Sequence, residues 1–307
     1  MRADGSDFAK VIVLGAGAIG SYYGSALSRG ADVLLVGRKG HVDAINEGGL
    51  EVSGAVEGSF PVEASKELRQ VPDDSLIVLT TKAYDIVEAV NGIRGLLKPG
   101  ATILVLQNGL GNEELVQALV GPEVKVARGL ASTGVEFLAP GRIEVKLVRE
   151  TVLPNTEVGG RIGRLFDSCG LEARLSDTMD VEIWRKLTMN CVINPLTALF
   201  RVPNTEIAVE GLRGVRRGIV DECVEVAASV GVILEGDLED EIARAAASYS
   251  NVSSMCQDIL KGRRTEIGFL NGKVGEIGRD HGVPTPVNDV LTALISFMEG
   301  KEWKQMR

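Results

Sequence analysis

Lys10-Val11-Ile12-Val13-Leu14-Gly15-Ala16-Gly17-Ala18-Ile19-Gly20 is the stretch on which the fold turns. Its first half is a short apolar, β-branched run, and its second half is G-x-G-x-x-G. The segment that follows has helical character to about Arg29 and stops at Gly30. Ala31-Asp32-Val33-Leu34-Leu35-Val36-Gly37 then reads as a second strand. Strand, glycine loop, helix and strand within roughly 30 residues is the setting in which this motif binds a dinucleotide. The glycines permit a tight turn, backbone approach to a pyrophosphate, and close packing of helix on strand. The helix N-terminus adds unused N–H groups and a favourable dipole. Gly15, Ala16, Gly17, Ala18, Ile19 and Gly20 are therefore candidate cofactor contacts. The alternative, a glycine-rich turn of purely structural use, leaves the order of elements unexplained.

The end of the second strand bears on which dinucleotide is bound. An NAD site usually places Asp or Glu there for the ribose hydroxyls, but the chain reads Val36-Gly37-Arg38-Lys39. Asp32 stands at the other end of the strand. Arg38, with Lys39 beside it, can instead hold a 2′-phosphate through charge-assisted hydrogen bonds, so NADP (NADPH) is the expected cofactor. Solvation of a loop is the ordinary alternative for Arg38.

Further along, Leu50 to Val62 is irregular or a hairpin, and Ser75 to Thr81 is a buried-looking strand ending in Thr80-Thr81-Lys82. A helix over Tyr84 to Leu97 stops before Pro99-Gly100. Thr102 to Leu106 is the next strand, ending in Gln107-Asn108-Gly109-Leu110-Gly111. Lys82 and Asn108 thus both follow the carboxyl ends of strands, the edge where doubly wound sheets bind ligands. Strand-like stretches run from Val124 to Lys146, with a turn near Pro140-Gly141. A helix over Gly160 to Cys169 and a strand over Leu171 to Leu175 complete this part.

From about Met179 the strand signals fade. Val209, Leu212, Val215, Ile219, Cys223, Val226 and Val230 recur at helical steps of three and four. Helices are expected near 181–199, 205–231, 237–248, 251–261, 264–281 and 287–300. The fold class expected is an α/β Rossmann-type dinucleotide-binding domain, 1–178, followed by an all-α domain, 179–307, with a crevice between them.

Composition narrows the functional classes. The 307 residues are 45% apolar and 24% charged, ordinary for a soluble globular protein with room for a sizeable core. A net charge of −9 argues against a broad nucleic-acid or anionic-membrane surface. There is no long apolar span and no signal-peptide pattern, and Met1 to Phe8 reads as a polar lead-in. Cys169, Cys191, Cys223 and Cys256 lie far apart, with no C-x-x-C pattern. That speaks against a structural zinc or a disulfide framework and makes a reducing cytoplasm the default. No metal site is expected, and Cys191 and Cys223 fit core positions.

Trp184 to Thr197 carries the densest chemistry. Apolar residues cover one part of a helix there, yet Lys186, Asn190 and Asn194 fall at i, i+4 and i+8 on a single stripe. Alone, such a stripe is an ordinary solvated face. Beside a nucleotide loop it suits a polar ligand, because buried ammonium and carboxamide groups need partners. Pro195 lacks the N–H that would reach the carbonyl of Cys191, and should kink or end the helix. In Asn251 to Asp258, Asn251, Ser254 and Asp258 fall at i, i+3 and i+7 on one helical face. Glu266 sits near the start of another helix, where a first-turn acid is favoured by the dipole. A bound nicotinamide supplies hydride, so the protein must position a carbonyl and protonate the oxygen that gains charge. Lys186 is the residue suited to donate that proton and stabilise the alkoxide. Asn190, Asn194 and Ser254 can bind hydroxyl and carboxylate groups, and Glu266 can accept from a substrate hydroxyl.

Together these pieces resemble the ketopantoate reductase (2-dehydropantoate 2-reductase) family. The resemblance rests on Gly15-x-Gly17-x-x-Gly20, Thr81-Lys82-Ala83, Gln107-Asn108-Gly109-Leu110-Gly111, Trp184-Arg185-Lys186-Leu187, Asn190 to Ala198, Pro203-Asn204, Asn251-x-Ser253-Ser254-Met255-x-Gln257-Asp258, and Thr265-Glu266-Ile267 with Asn271-Gly272. These run in family order over roughly positions 11 to 285. The resemblance implies NADPH-dependent reduction of 2-dehydropantoate to (R)-pantoate, a step of pantothenate and coenzyme A synthesis. It implies Lys186 as proton donor, and Asn190, Asn194, Asn204 and Ser254 as substrate contacts. Asn108 would lie between cofactor and substrate. Gly15 to Gly20, Lys82 and Glu266 would contact the cofactor or its neighbourhood, which leaves two readings of Glu266. Between about Glu136 and Asp180 the match is poor and nothing is transferred. The partner expected is a small 2-oxo acid, with no nucleic acid and no membrane; a homodimer through the helical domain is one option. A reductase of another 2-oxo acid, and an NADP-binding sensor without catalysis, are the competing readings.

Overall fold

In the first part of the chain, three strands are apolar at every position, which requires helices on both faces of the sheet they form. The computed structural model describes residues 8–300. The chain divides into two compact units: one takes in the chain up to Gln107 together with Gly111–Met179, the other Asn108–Leu110 and the chain from Asp180 onward.

The first unit runs β1 (Val11–Leu14), α1 (Ala18–Leu27), β2 (Val33–Val36), α2 (Lys39–Gly48), β3 (Leu50–Gly54), β4 (Gly58–Phe60), β5 (Glu63–Ser65), β6 (Leu76–Leu79), α3 (Ile86–Ile93), β7 (Thr102–Val105), α4 (Asn112–Val120), β8 (Lys125–Arg128), β9 (Leu130–Ala131), β10 (Gly134–Ala139), β11 (Arg142–Leu147), β12 (Thr151–Pro154), α5 (Glu157–Ser168) and β13 (Ala173–Ser176). Its main sheet has the order β5-β2-β1-β6-β7-β8, parallel throughout. This is the doubly wound, Rossmann-type arrangement. β1 and β6 are fully buried, as their unbroken apolar runs require, and so is β7, apolar after its first residue, Thr102. The order reverses between β1 and β6, and the Gly15 loop leaves β1 at that switch point.

The strand-like stretches expected up to Lys146 form the β10–β11 hairpin, which turns at Pro140-Gly141 as expected and adds β11 to β3. β3 and β4 are the hairpin expected over 50–62. A third sheet pairs β12 with β13 and β9. Of the expected polar lead-in, residues 1–7 lie outside the described residues. Phe8 contradicts it, because it is core, with the Arg161 guanidinium stacked over its ring.

His41 of α2 joins two of these layers. The backbone N–H of Gly141 donates to Nδ1 at 2.8 Å, so Nδ1 carries no proton, and Nε2–H can donate to Ser21 Oγ at 2.9 Å. Burial lowers its pKa below the usual 6.5. The folded state therefore binds this proton less readily than the unfolded chain, and the contribution to stability is present above the unfolded pKa and lost as pH falls below it. Tm measured from pH 7.5 down to about pH 5 should fall, and a His41→Asn protein should show a shallower fall. Equal slopes would remove His41 from the pH dependence.

The second unit is helical: α6 (Met179–Phe200), α7 (Arg213–Ser229), α8 (Leu238–Ser248), α9 (Ser254–Leu260), α10 (Asn271–His281) and α11 (Pro286–Met298). Its core is built on Trp184, Leu187, Cys191 and Val192 of α6 with Ile219, Cys223 and Val226 of α7. Four expectations are corrected here. The helix expected over 205–231 is preceded by 3-10 turns at Asn204–Ala208 and Glu210–Leu212, and α7 begins only at Arg213. The helix expected from 251 starts at Ser254, because Ser253 caps it by accepting from Cys256 N. Asn251 is therefore on the preceding loop, not on a face shared with Ser254 and Asp258. The helix expected from 264 is a 3-10 turn, Ile267–Phe269, followed by a break at Leu270 before α10, so Glu266 has no α-helix dipole beside it. Lastly, Pro195 does not end the helix: α6 continues past it to Phe200.

Candidate active site

The candidate nucleotide contacts around the glycine loop lie in the first unit. Gly15 and Ala16 both donate backbone N–H groups to Val36 O, at 3.0 and 2.9 Å, which ties the loop to the end of β2. Thr80 Oγ1 donates to Gly15 O at 2.9 Å from the end of β6. Gly15 has φ +114°, and a Cβ there would stand 2.5 Å from Thr81 N, so the turn admits only glycine. At Gly20 a Cβ would come 2.2 Å from Gly15 O. Over Gly17 the space is open: the nearest atom to an added Cβ is Gly15 O, at 4.0 Å. Gly17 is the N-cap of α1 and has no side-chain cap, so the first-turn amides of Ala18, Ile19 and Gly20 have no intrahelical acceptor. An open cradle over unspent amides fits a pyrophosphate.

At the end of β2, Asp32 is engaged by Lys10 at 3.1 Å, at the opposite end of the strand from the loop. Lys39 pairs with Asp43 at 2.6 Å. Arg38, the exposed N-cap of α2, has no carboxylate partner among the described residues, so it is the cation available to a phosphate. Lys82 is partly buried and opens the 3-10 turn after β6.

The candidate polar residues of α6 and its neighbours lie in the second unit. Lys186 and Asn190 are partly buried and Asn194 is buried, so the α6 stripe is not a solvated face. α6 ends at Phe200 because Arg201 adopts a left-handed φ of +57° and Pro203 cannot continue the helix. Val202 N donates to Thr197 O at 3.1 Å, and the chain emerges directly at Asn204. Asn204 is 9% exposed and its Oδ1 has no hydrogen-bond partner within the protein, which leaves it able to accept from another group. Its N–H donates to Asn251 O at 2.8 Å, which joins the 204 turn to the loop before α9. Arg216 holds the far side of the turn, donating to Ile207 O and Val209 O at 2.7 and 2.8 Å while paired with buried Glu239.

Ser254 is exposed at the first turn of α9. Its position follows from Ser253, whose Oγ lies 2.7 Å from Thr197 Oγ1, which in turn donates to Ile193 O at 2.7 Å. Glu266 is buried, and Thr265 beside it is pinned by Glu299 through both N and Oγ1. Gly109, with φ +96°, lies so close to Phe269 that a Cβ would stand 2.4 Å from Phe269 O. That contact sets Asn108 against the 3-10 turn that follows Glu266. Lys186, Asn190, Asn194, Asn204, Ser254, Glu266 and Asn108 thus all belong to one unit.

Residues 11–157 match the model of the family described as ketopantoate reductase PanE/ApbA, and residues 178–299 match its C-terminal domain. The chain belongs to the ketopantoate reductase family. A 2-dehydropantoate 2-reductase of Pyrococcus abyssi is 34% identical over 304 residues, covering 96% of this chain and 100% of that one. Its counterpart in Streptococcus pyogenes serotype M1 is 30% identical, covering 94% and 97%. The crystal structure of a PanE/ApbA family ketopantoate reductase from Ralstonia eutropha JMP134 superposes with a TM-score of 0.88 at 33% identity, covering 94% of this chain and 98% of that one. A D-mandelate dehydrogenase in complex with NADH and anilino(oxo)acetate gives 0.86 at 28% identity, with the same coverage. The protein is accordingly an oxidoreductase of the ketopantoate reductase type.

Within this family member, the supports of the site are what sequence reading overlooked. Ser253 could have been found as an N-cap immediately before Met255 and Cys256. Arg216 and Glu239 could not, because a charged pair separated in sequence gives no local sign that it is buried. No group of His, Cys, Asp and Glu among the described residues could hold a metal ion. All four cysteines are buried and free. No helix among the described residues is long and apolar enough to cross a membrane.

Proposed function

We propose that this protein reduces 2-dehydropantoate to (R)-pantoate with NADPH, as a cytoplasmic enzyme of pantothenate and coenzyme A synthesis. The observation that carries the proposal is the α6 row: Lys186, Asn190 and Asn194, all at least partly buried, in a chain matched over nearly its whole length by 2-dehydropantoate 2-reductases. Gly15 to Gly20 hold the dinucleotide pyrophosphate, and Arg38 holds the 2′-phosphate. A bound nicotinamide dinucleotide supplies the hydride that adds to the carbonyl carbon of the 2-oxo acid. Lys186 donates a proton to the carbonyl oxygen as negative charge builds there, and its charge lowers the cost of that charge meanwhile. Asn190, Asn194, Asn204 and Ser254 orient the substrate's carboxylate and hydroxyl groups, and Asn108 lies between cofactor and substrate. Glu266 contacts the cofactor or accepts from the substrate hydroxyl.

A coupled absorbance assay of NADPH and NADH oxidation with 2-dehydropantoate tests the proposal, and no oxidation of either cofactor would reject it. The similarity to an NADH-bound D-mandelate dehydrogenase supports a second reading, a reductase of another 2-oxo acid. A higher kcat/KM for an aryl or branched 2-oxo acid than for 2-dehydropantoate would establish that reading. The cofactor preference has its own check. Arg38→Ala should cut the preference for NADPH over NADH by roughly 10–100-fold, since one charge-assisted phosphate contact is lost. An unchanged ratio would mean that the 2′-phosphate is held elsewhere.

A further inference from the structure

Pro195, next after the last residue of the Lys186–Asn190–Asn194 row, interrupts the hydrogen-bond ladder of α6 without ending the helix. With no N–H on Pro195, the carbonyl of Cys191 has no backbone donor one turn ahead. Cys191 is fully buried, so water is not available either. Asn271, the first residue of α10 and also fully buried, supplies the donor: its Nδ2 lies 2.9 Å from Cys191 O.

The orientation of that carboxamide is fixed by a chain of buried groups. Glu222 of α7 accepts from the backbone N–H of Val287 and of Asn288, at 2.8 and 2.9 Å, which caps α11. Its Oε2 also takes Asn288 Nδ2 at 2.7 Å, and a carboxylate can only accept, so Asn288 must present its nitrogen there. Asn288 Oδ1 then faces Asn271 Nδ2 at 2.9 Å. Both N–H groups of Asn271 are spent, one on Asn288 and one on Cys191 O, and its own Oδ1 has no partner. A swap of its oxygen and nitrogen would therefore set oxygen against oxygen at two places.

We infer that Asn271 is a positioning residue for the α6 row, its carboxamide replacing the backbone hydrogen bond that Pro195 removes, with Glu222 and Asn288 setting its orientation. Asn190 and Asn194 flank the carbonyl that it holds. Loss of this bond lets the turn between them relax, and small displacements at reacting groups cost turnover steeply. The role rests on the function proposed above, and its test separates the two.

A double-mutant cycle between Asn271→Ala and Pro195→Ala reads the coupling, since the second substitution restores the N–H that can reach Cys191 O. In the otherwise native chain, Asn271→Ala should lower kcat about tenfold, as expected when a buried acceptor loses its donor, with NADPH affinity unchanged. In the Pro195→Ala background the same substitution should lower kcat by only about two- to threefold. Tm should show the same non-additivity. If Asn271→Ala does not fold, recovery of folding in the double variant supports the inference. Equal losses of kcat and Tm in both backgrounds, or failure of both variants to fold, would overturn it. If the unsubstituted protein does not reduce 2-dehydropantoate, the functional proposal fails, and the Tm cycle alone then decides on the role of Asn271.

Discussion

Lys186→Ala should lower kcat for 2-dehydropantoate by roughly 10³-fold, the combined scale of a lost proton donor and a lost charge beside a developing alkoxide. NADPH affinity should change little, because the pyrophosphate and the 2′-phosphate are proposed to be held by the loop from Gly15 to Gly20 and by Arg38, which belong to the first unit. Lys186→Arg sharpens the result. It keeps the positive charge but is a poor proton donor near neutral pH, so it should recover the electrostatic part of the loss and not the proton-transfer part. Steady-state kinetics with a separate fluorescence titration of NADPH measures both quantities. Turnover near that of the unsubstituted enzyme in Lys186→Ala would remove this lysine from the mechanism.

The second and third glycines of the loop should respond differently to one added methyl group. At Gly20 the new Cβ, which has no torsion by which to turn away, meets the Gly15 backbone carbonyl oxygen at 2.2 Å, so α1 must move. Gly20→Ala should therefore lower Tm, by several degrees for a cost of about 2–3 kcal/mol, and weaken NADPH binding about 100-fold or more. At Gly17 the nearest atom is 4.0 Å away and the helix already begins normally. Gly17→Ala should leave Tm of the cofactor-free protein unchanged within about a degree, while NADPH binding still falls by about 100-fold. Thermal melts with and without NADPH distinguish the two cases. Full NADPH affinity in Gly17→Ala would mean that the pyrophosphate does not use the space above this residue.

Much of the fold was legible because the signals are local. An apolar run followed by G-x-G-x-x-G needs no tertiary context to read as a strand, a turn and a helix start, and β1 and α1 follow it closely. The same holds for the stripe of Lys186, Asn190 and Asn194, whose helical spacing appears in α6 as expected. The elements misread in the second unit failed for an equally physical reason. Apolar periodicity continues through 3-10 turns and capped loops, so it cannot reveal that Ser253 restarts the chain at α9, that α7 begins only at Arg213, or that Leu270 breaks the segment after Glu266. Around the β10–β11 hairpin the strands and the Pro140-Gly141 turn were legible, but the pairing of β11 with β3, far away in sequence, was not.

By itself, then, the sequence determined the two classes of structure, the nucleotide loop, the absence of an acid at the end of β2 beside Arg38, and the row of polar groups on α6, since each depends on neighbours within a few turns. The tertiary structure decided how far those polar groups are buried and what holds them. It left Asn204 Oδ1 without a protein partner, tied Ser253 to Thr197, and set Asn108 against the turn at Phe269. It also decided that α6 does not end at Pro195. From sequence, a proline inside a helix signals a kink or an end, because the lost hydrogen bond has no visible replacement. In the folded chain Asn271 supplies that replacement from another helix, and long-range contacts of this kind leave no periodic trace in the sequence.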